Sequence, residues 1–371
     1  MKFSIVIPTY NRAGDLKESI VSIGRLLNRD QWELIVVDNN SSDDTREIVQ
    51  SAQKWFPVPL HYIFEPEQGR CAALNAGIRL STGEIIITTD DDVRVETDWL
   101  DRAAEALDRL GCDYVGGKVL PIWSAPRPGW LPNRGGRHWA VIALLDYGPE
   151  PIEFKRLMPL GVNMAFRREA FERAGLWDNR VGRKAGTLLG QEVREWGLRA
   201  RAAGLKGFYA PEMTIRHIIP ADRLTKRYFR RWFYWHGISR AMLYAQTRID
   251  MEAPEETVLD FSKVPHIAGV PRYMYRSCLG AFKNMIGAGL RRDRIASFEY
   301  ELWMWFFAGI LRRRFQDRKL DGVQSNSISM PARFLGDSTS VPLKASLAED
   351  IPVSTTGSIE PSRITRRLAT K

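Results

Sequence analysis

Apolar, β-branched segments alternate with more polar segments along the first part of the chain. The apolar segments predict strands over residues 3–7, 33–37, 60–64 and 85–89. The segments between and after them predict helices over residues 13–27, 44–55, 71–80 and 98–110. Strands that alternate with helices favour an α/β fold with three layers (α/β/α) and a mostly parallel sheet.

Three consecutive carboxylates, Asp90, Asp91 and Asp92, follow the fourth predicted strand directly. Ligands of open α/β sheets bind beyond the carboxyl ends of the strands. Because adjacent like charges repel one another and resist desolvation, a bound cation would stabilise this cluster. Carboxylates suit Mg²⁺ or Mn²⁺, which usually bind one or two of them together with substrate phosphates. The alternative is a solvated acidic turn that caps the next helix.

Polar residues also follow the other predicted strands. Pro8 and Thr9 follow the first strand, Asp38 follows the second, and Arg70 begins the helix after the third. A carboxylate at Asp38 can accept hydrogen bonds from a base or a ribose, and the planar guanidinium of Arg70 can bind a diphosphate. Alternatively, Asp38 caps the next turn and Arg70 is an ordinary surface residue. No Rossmann glycine fingerprint follows the first strand, and the chain has no P-loop motif and no G-x-S-x-G elbow.

Composition limits where and with what the protein acts. Its three cysteines form no C-x-x-C pair, which indicates a reducing compartment and argues against a zinc site or a disulfide framework. The N-terminus lacks a signal-peptide core, and the longest apolar run, residues 302–311, is about half of a membrane span. Residues 216–315 hold 18 Lys/Arg against 9 Asp/Glu, whereas residues 1–215 are nearly neutral. We therefore expect a cytoplasmic protein with an anionic partner.

Four segments together resemble the successive motifs of family 2 glycosyltransferases with the GT-A fold: FSIVIPTYNRAGDLKESI, LIVVDNNSSDDT, EQGRCAALNAGI, and STGEIIITTDDDV followed by DWL. Their order and spacing both fit, and the resemblance covers residues 1–220. It implies that the Pro8–Thr9 region, Asp38 and Arg70 hold the nucleotide of a sugar donor. It also implies that Asp92 binds Mn²⁺ or Mg²⁺, with Asp90 and Asp91 beside the ribose and the metal waters.

The resemblance extends to the acceptor side of the site, where Gly161, Asn163 and Asp178 match family positions. The family usually has Gly-Glu-Asp ahead of the next helix, predicted over residues 197–203, and its second acid is the general base. Here Gln191 replaces the first acid and Glu192 stands at the base position, with Glu195 as the second candidate. Alternatively, Glu192 is only an acid in the first turn of a helix.

Aromatic side chains and one histidine complete the candidate set. Trp123, Trp130 and Trp139 offer apolar faces to a sugar, or else pack a loop predicted over residues 121–137. His217 follows a closing strand, where a neutral imidazole can contact the metal or the diphosphate, or is structural.

Beyond residue 220 the sequence predicts a basic and aromatic helical extension to residue 315 and a disordered tail over 316–371. Arginines interleaved with aromatics over 223–236 suit nucleic acid, a diphosphate or an anionic lipid surface, and the resemblance favours the last two. Residues 291–314 predict an in-plane interfacial helix, or a helix packed on the catalytic domain.

The predicted function is thus inverting transfer of a sugar from a nucleotide diphospho-sugar to a glycan or lipid-linked acceptor, in polysaccharide or glycolipid synthesis. We expect cytoplasmic location, peripheral at the inner face of the membrane, and no nucleic-acid partner. One alternative is a nucleotidyltransferase, although the early glycine-rich loop of that class is missing. Another is a non-catalytic nucleotide- or membrane-binding protein on the same fold, favoured only by Gln191.

Overall fold

The computed structural model describes residues 2–27, 31–132, 137–155, 157–247 and 265–324. The strands are β1 (Phe3–Thr9), β2 (Trp32–Asp38), β3 (Leu60–Phe64), β4 (Ile85–Thr89), β5 (Val93–Val95), β6 (Tyr114–Trp123), β7 (Ile152–Glu153), β8 (Asn163–Arg167), β9 (Gly207–Ile219), β10 (His266–Ile267) and β11 (Val270–Pro271). The α-helices are α1 (Ala13–Ile23), α2 (Thr45–Ala52), α3 (Arg70–Leu80), α4 (Trp99–Arg109), α5 (Arg137–Val141), α6 (Arg168–Ala174), α7 (Glu192–Ala202), α8 (Lys226–Thr247), α9 (Arg272–Leu290) and α10 (Arg294–Gln324).

One mixed sheet carries the fold, and its strands run in the order β3-β2-β1-β4-β8-β6-β9-β5, with β7 also paired to β9. The first four strands of this order are mutually parallel, whereas β8 is antiparallel to both of its neighbours. All seven residues of β1 and of β2 are buried, so both faces of the central sheet are covered. The predicted α/β architecture is confirmed.

The acidic triplet lies where the chain crosses from the middle of the sheet to its edge. Asp90, Asp91 and Asp92 connect β4 to β5, and β5 pairs antiparallel with β9. In this pairing Val93 lies opposite His217. The short strand β5 therefore brings the closing strand, and His217 with it, to the end of the triplet.

The C-terminal helices pack on one another, because α10 contacts both α8 and α9. Phe298, Leu302, Phe306 and Ile310 form a buried stripe on α10 at a spacing of four residues. The ring of Phe298 lies 5.2 Å from that of Trp130. Helix α10, which begins at Arg294, therefore packs on protein, in agreement with the alternative prediction for residues 291–314. The in-plane interfacial helix stays a prediction.

Several predicted boundaries differ from the structure. Helix α7 begins at Glu192 rather than at residue 197, because the first turn is polar and hid the helical pattern. Strand β6 continues to Trp123, into the predicted loop. Helix α10 continues to Gln324, so residues 316–324 are helical; the rest of the predicted disordered tail lies outside the described residues. Among the helices that the structure describes, none is long and apolar enough to cross a bilayer.

Two glycines let α8 and α10 approach closely. A Cβ on Gly237 would lie 2.0 Å from the carbonyl oxygen of Phe306, and one on Gly309 would lie 2.0 Å from that of Tyr234. Each helix thus presents a glycine to the backbone of the other. No other residue fits this crossing without the helices moving apart.

We expect Gly309→Ala to lower the free energy of unfolding by about 1–3 kcal/mol, because the added methyl group overpacks the crossing. Gly280→Ala in α9 is the matched control, since no atom lies within 4 Å of its added Cβ. That control should be neutral or stabilising by up to about 1 kcal/mol, because alanine favours a helix. Urea unfolding of both variants checks this, and equal stability of the two would contradict the close crossing.

Candidate functional site

A cavity of about 630 Å³ opens beyond the carboxyl ends of β1 and β4. One part of its wall is polar and the other part, supplied by residues 157–162 and by the C-terminal helices, is largely apolar. The cavity brings together most of the predicted site residues: Pro8, Thr9, Arg70, Asp90, Asp91, Asp92, Glu192 and His217. Its lining does not include four others: Asp38, Trp130, Asn163 and Glu195.

Arg70 links the first aspartate of the triplet to the predicted base. Its Nε and Nη2 donate to Oδ1 of Asp90 at 3.1 and 2.8 Å, and Nη2 also donates to the carbonyl of Gly161 at 2.9 Å. The Nη1 atom lies 3.6 Å from Oε1 of Glu192 and makes no hydrogen bond. The guanidinium is therefore fixed on one side and directed toward the cavity and Glu192 on the other.

The second and third aspartates share one guanidinium. Arg12 donates from Nη1 to Oδ1 of Asp91 at 3.2 Å and also to Oδ2 of Asp92, while Thr9 donates to Oδ2 of Asp91 at 2.8 Å. Burial, and then the charge of Asp92, raise the pKa of Asp91 to about 7. Burial alone would raise the pKa of Asp92, but His217, Arg12 and Arg223 hold it well below its usual range. Asp92 is thus the permanently ionised member of the pair.

Asp92 and His217 form a site that fits a divalent cation. Nδ1 of His217 lies 3.1 Å from the carbonyl oxygen of Ile142 and can donate its proton there, while Nε2 faces Asp92. Nε2 lies 3.1 Å from Oδ1 of Asp92, which is buried. Two adjacent ligands of an octahedral ion at about 2.1 Å lie about 3 Å apart, so the spacing suits one shared cation.

The protein supplies few ligands for such an ion. In the ranges that the structure covers, no group of three or more His, Cys, Asp or Glu side chains could hold a metal. Asp92 and His217 would therefore act as a pair, and waters and substrate oxygens would complete the coordination. This pattern is typical of Mg²⁺ or Mn²⁺ bound together with a diphosphate.

Asp38 lies beside the cavity with its carboxylate already engaged. It accepts hydrogen bonds from the backbone N–H of Ser41 at 2.8 Å and from the hydroxyl of Tyr62 at 2.8 Å. Burial and then the bond to Asp38 raise the pKa of Tyr62 to about 12. Asp38 thus holds the turn after β2, as in its alternative interpretation, while the adjacent Asn39 reaches the cavity wall.

Asn163 is a structural residue and does not face an acceptor. It is fully buried, accepts from Nε1 of Trp99 at 3.0 Å, and donates to the carbonyls of Lys118 and Met213 at 3.0 and 2.8 Å. These bonds span the irregularity between β6 and β9 after Gly117. The family resemblance located this turn correctly, but burial leaves the amide no surface for a ligand.

The remaining acceptor-side candidates also pack into the protein. Trp130 lies edge-on against Phe229 and Phe298, at 4.9 and 5.2 Å between ring centroids. Glu195 accepts two bonds from Arg199, at 2.7 and 2.8 Å, and its residue is only 5% exposed. Three further candidates that are absent from the cavity lining are Trp123, Trp139 and Asp178.

Several cavity residues were not predicted individually. Arg12 follows the first predicted strand, at the same edge of the sheet as the triplet, and this position was the signal that could have found it. The segment 223–236, for which a diphosphate was one predicted partner, contributes Arg223, Trp232, Phe233 and His236 to the cavity. Arg223 lies 3.7 Å from Oδ2 of Asp92. Helix α10 contributes Phe306, which no local sequence pattern ties to the triplet.

Gln191 departs from the family pattern and contacts one of these residues. Its Nε2 donates to Nδ1 of His236 at 3.2 Å, and its backbone has a left-handed φ of 81°. Burial, and then Arg240 and Arg194, lower the pKa of His236 well below the usual value, so the imidazole is neutral and can accept this bond. The amide of Gln191 therefore suits a neutral ring, and it ties the residue before Glu192 to α8.

Comparisons with known proteins identify the kind of protein to which this chain is similar. The model described as "Glycosyl transferase family 2" matches residues 4–175, and this match supports a family 2 glycosyltransferase. Glycosyltransferase AglE of Haloferax volcanii is 28% identical over 229 residues, which are 61% of this chain and 70% of that protein. The glucosyl-dolichyl phosphate glucuronosyltransferase of the same organism is 24% identical over 261 residues, 68% of this chain and 82% of that protein.

Among solved structures, the mannosyltransferase PcManGT from Pyrobaculum calidifontis, in complex with GDP-Man and Mn²⁺, is similar with a TM-score of 0.57 and 19% identity. The match covers 85% of this chain and 87% of that one. At this identity the similarity shows the fold, and the predicted GT-A fold with C-terminal helices is confirmed.

The raised pKa of Asp91 predicts a pH-dependent stability in metal-free buffer. An aspartate titrates near 3.9 when unfolded, so between about pH 4 and pH 7 the folded state holds a proton that the unfolded state releases. Wild-type stability should therefore fall as the pH rises through this range, and Asp91→Asn should remove that part of the slope. Thermal unfolding across the range tests this; parallel profiles for the two proteins would show that Asp91 does not hold the proton.

Proposed function

We propose that this protein is an inverting glycosyltransferase that moves a sugar from a nucleotide diphospho-sugar to an acceptor hydroxyl. The observation that carries the proposal is that one cavity holds both a cation-binding pair, Asp92 and His217, and a separate carboxylate, Glu192, beside Arg70. The cation-binding pair suits the leaving diphosphate, and Glu192 suits the attacking hydroxyl. The match to the model of glycosyl transferase family 2 supports this division of roles.

The donor side is assigned to the residues around the triplet. Asp92 and His217 would hold Mn²⁺ or Mg²⁺, and the ion would supply positive charge to the leaving diphosphate. Arg70 binds the diphosphate from the side of Asp90, and Pro8, Thr9 and Asp91 line the path to the nucleotide. The GDP-Man and Mn²⁺ bound by the structurally similar mannosyltransferase support a donor and an ion of this class.

Glu192 is the proposed general base. Its carboxylate accepts the proton of the acceptor hydroxyl as the oxygen forms a bond to the anomeric carbon and the bond to the diphosphate breaks. Because attack and departure occur on opposite faces, the anomeric configuration inverts. Arg70 lies 3.6 Å from Glu192 and also faces the leaving group, so its positive charge acts on both the proposed base and the departing diphosphate.

The acceptor is proposed to be lipid-linked, in glycolipid or polysaccharide synthesis on the cytoplasmic side of a membrane. The support is the apolar part of the cavity lining, formed by Leu157, Pro159, Trp232, Phe233 and Phe306. A free monosaccharide would leave this wall exposed to water, whereas an amphiphilic acceptor would cover it. The related glucuronosyltransferase, whose name specifies a dolichyl phosphate, supports such an acceptor.

We expect Glu192→Gln to lower the rate of transfer at least about 100-fold and to leave donor binding intact, because only proton removal is lost. Glu195→Gln is the matched control: it changes a carboxylate one turn away that faces Arg199, and should keep activity within about threefold. Product formation from a panel of nucleotide sugars, with a lipid extract as acceptor source, measures both. Equal losses in the two variants would remove Glu192 from the base role.

We expect Asp92→Asn to abolish metal-dependent binding of the nucleoside diphosphate, because it removes the charged ligand of the pair. Calorimetric titration of Mn²⁺ and nucleotide measures this without relying on turnover. Full metal-dependent binding by Asp92→Asn would contradict the assigned ion site. Nucleotide binding by the wild type, with no transfer from any donor, would instead favour a binding protein on this fold.

A further inference from the structure

Helix α9 carries an exposed apolar stripe that the proposed chemistry does not use. Leu279, Phe282, Ile286 and Leu290 are 56%, 42%, 47% and 82% exposed. Their spacing of three, four and four residues places them on one face of the helix. Scattered exposed apolar residues are normal on protein surfaces, but a continuous stripe over three turns indicates an interaction surface.

The opposite face of α9 explains why this stripe remains outside. Met274, Ala281 and Ala288 are the buried residues of the helix, and they repeat every seven positions. Small side chains at two of these positions let α9 lie on α10, and Tyr275 contacts Phe307 of α10 at 5.0 Å between rings. Packing on α10 thus uses a narrow face, and the larger apolar side chains are left for another partner.

The charge of α9 identifies the chemistry of that partner. Residues 272–290 contain no Asp or Glu and three basic residues, and three more arginines follow within four positions. Arg276 and Lys283 lie within one turn of Leu279 and are exposed, so cations border the apolar stripe. The basic residues of this segment are Arg272, Arg276, Lys283, Arg291, Arg292 and Arg294. Asp293 is the one acid among residues 272–294, so cations predominate beside the stripe. An apolar stripe bordered mainly by cations complements an anionic lipid surface.

We infer that α9 is the membrane-docking element of this protein and lies in the headgroup region of an anionic membrane, with Leu279, Phe282 and Ile286 inserted. The inference deepens the proposed function, on which it rests for the lipid-linked acceptor. Packed helices lie about 8–10 Å apart, and α10 separates α9 from α8, whose side chains line the cavity. Docking through α9 holds the cavity wall within about 20 Å of the lipid surface.

The first test is binding to phosphatidylcholine vesicles with and without phosphatidylglycerol, measured by co-sedimentation of the full chain. The wild type should bind the anionic vesicles, and added salt should weaken binding. A triple variant, Leu279→Gln, Phe282→Gln and Ile286→Gln, should lose at least about tenfold in partitioning because the inserted apolar area is removed. The matched control changes Trp55→Gln and Leu80→Gln, which are 52% and 50% exposed in the catalytic part, and should bind as the wild type.

A second variant separates charge from apolar area and guards against misfolding of the first. Arg276→Gln with Lys283→Gln should lower binding to anionic vesicles about tenfold and leave binding to neutral vesicles unchanged. Thermal unfolding of every variant should match the wild type, since all of these side chains are exposed.

Three results would overturn the inference: a wild type that ignores anionic vesicles, full binding by both α9 variants, or equal loss in the Trp55 and Leu80 control. A wild-type dimer that the triple variant dissociates, without vesicle binding, would show that the stripe joins two copies of the chain. Hydrolysis of a soluble nucleotide sugar is measured in parallel and does not require a membrane. If the wild type binds vesicles but hydrolyses no nucleotide sugar, that result counts against the proposed function and not against membrane docking.

Discussion

The compensation of buried carboxylates is the constraint on which the site depends. Asp91 and Asp92 are almost completely buried, and charges of the same sign at this depth are unstable unless cations or protons balance them. Arg12 contacts both carboxylates, while His217 and Arg223 contact Asp92. These three residues come from the start of α1, from β9 and from the segment before α8. The sheet, its edge strand and the extension are therefore held together at one electrostatic centre.

Arg70 connects this electrostatic centre to the proposed base, Glu192. Its bonds to Asp90 and to the carbonyl of Gly161 fix the guanidinium between the triplet and the first turn of α7. Because α7 begins at Glu192, the proposed base lies in the first turn of a helix. Gln191 then connects this turn to His236 of α8. The position of the base thus depends on contacts from both the catalytic part and the C-terminal helices.

The sequence predicted the elements that repeat a simple pattern. Strands β1 to β4 and the acidic triplet after β4 could be identified because their apolar runs end in proline, polar or charged residues. The hydrogen-bond partners of individual side chains could not be predicted in this way. Asn163 stands at a position typical of a ligand, but Trp99 and the carbonyl of Met213 occupy its amide. Asp38 already accepts a bond from Tyr62.

The C-terminal helices show the second limit of sequence patterns. The aromatics of residues 291–314 predicted an interfacial helix, but arginines bordering aromatics occur equally where such a helix packs on protein. Only the contact with Trp130 and the glycine crossing with α8 show that this helix packs on protein. The exposed stripe of α9 was not predicted, because its exposure depends on which face α10 covers. That choice is made by tertiary packing and not by the local sequence.

The glycine crossing of α8 and α10 has a consequence for the boundaries of the catalytic unit. Residues 1–220 match the part of the chain in which the sequence motifs lie, and a fragment ending there would keep the triplet and Glu192. It would lose Trp232, Phe233 and Phe306, which close one side of the cavity. The smallest fragment with a complete binding chamber therefore extends through α10. The cavity is thus a joint product of the sheet and of these helices, and neither encloses it alone.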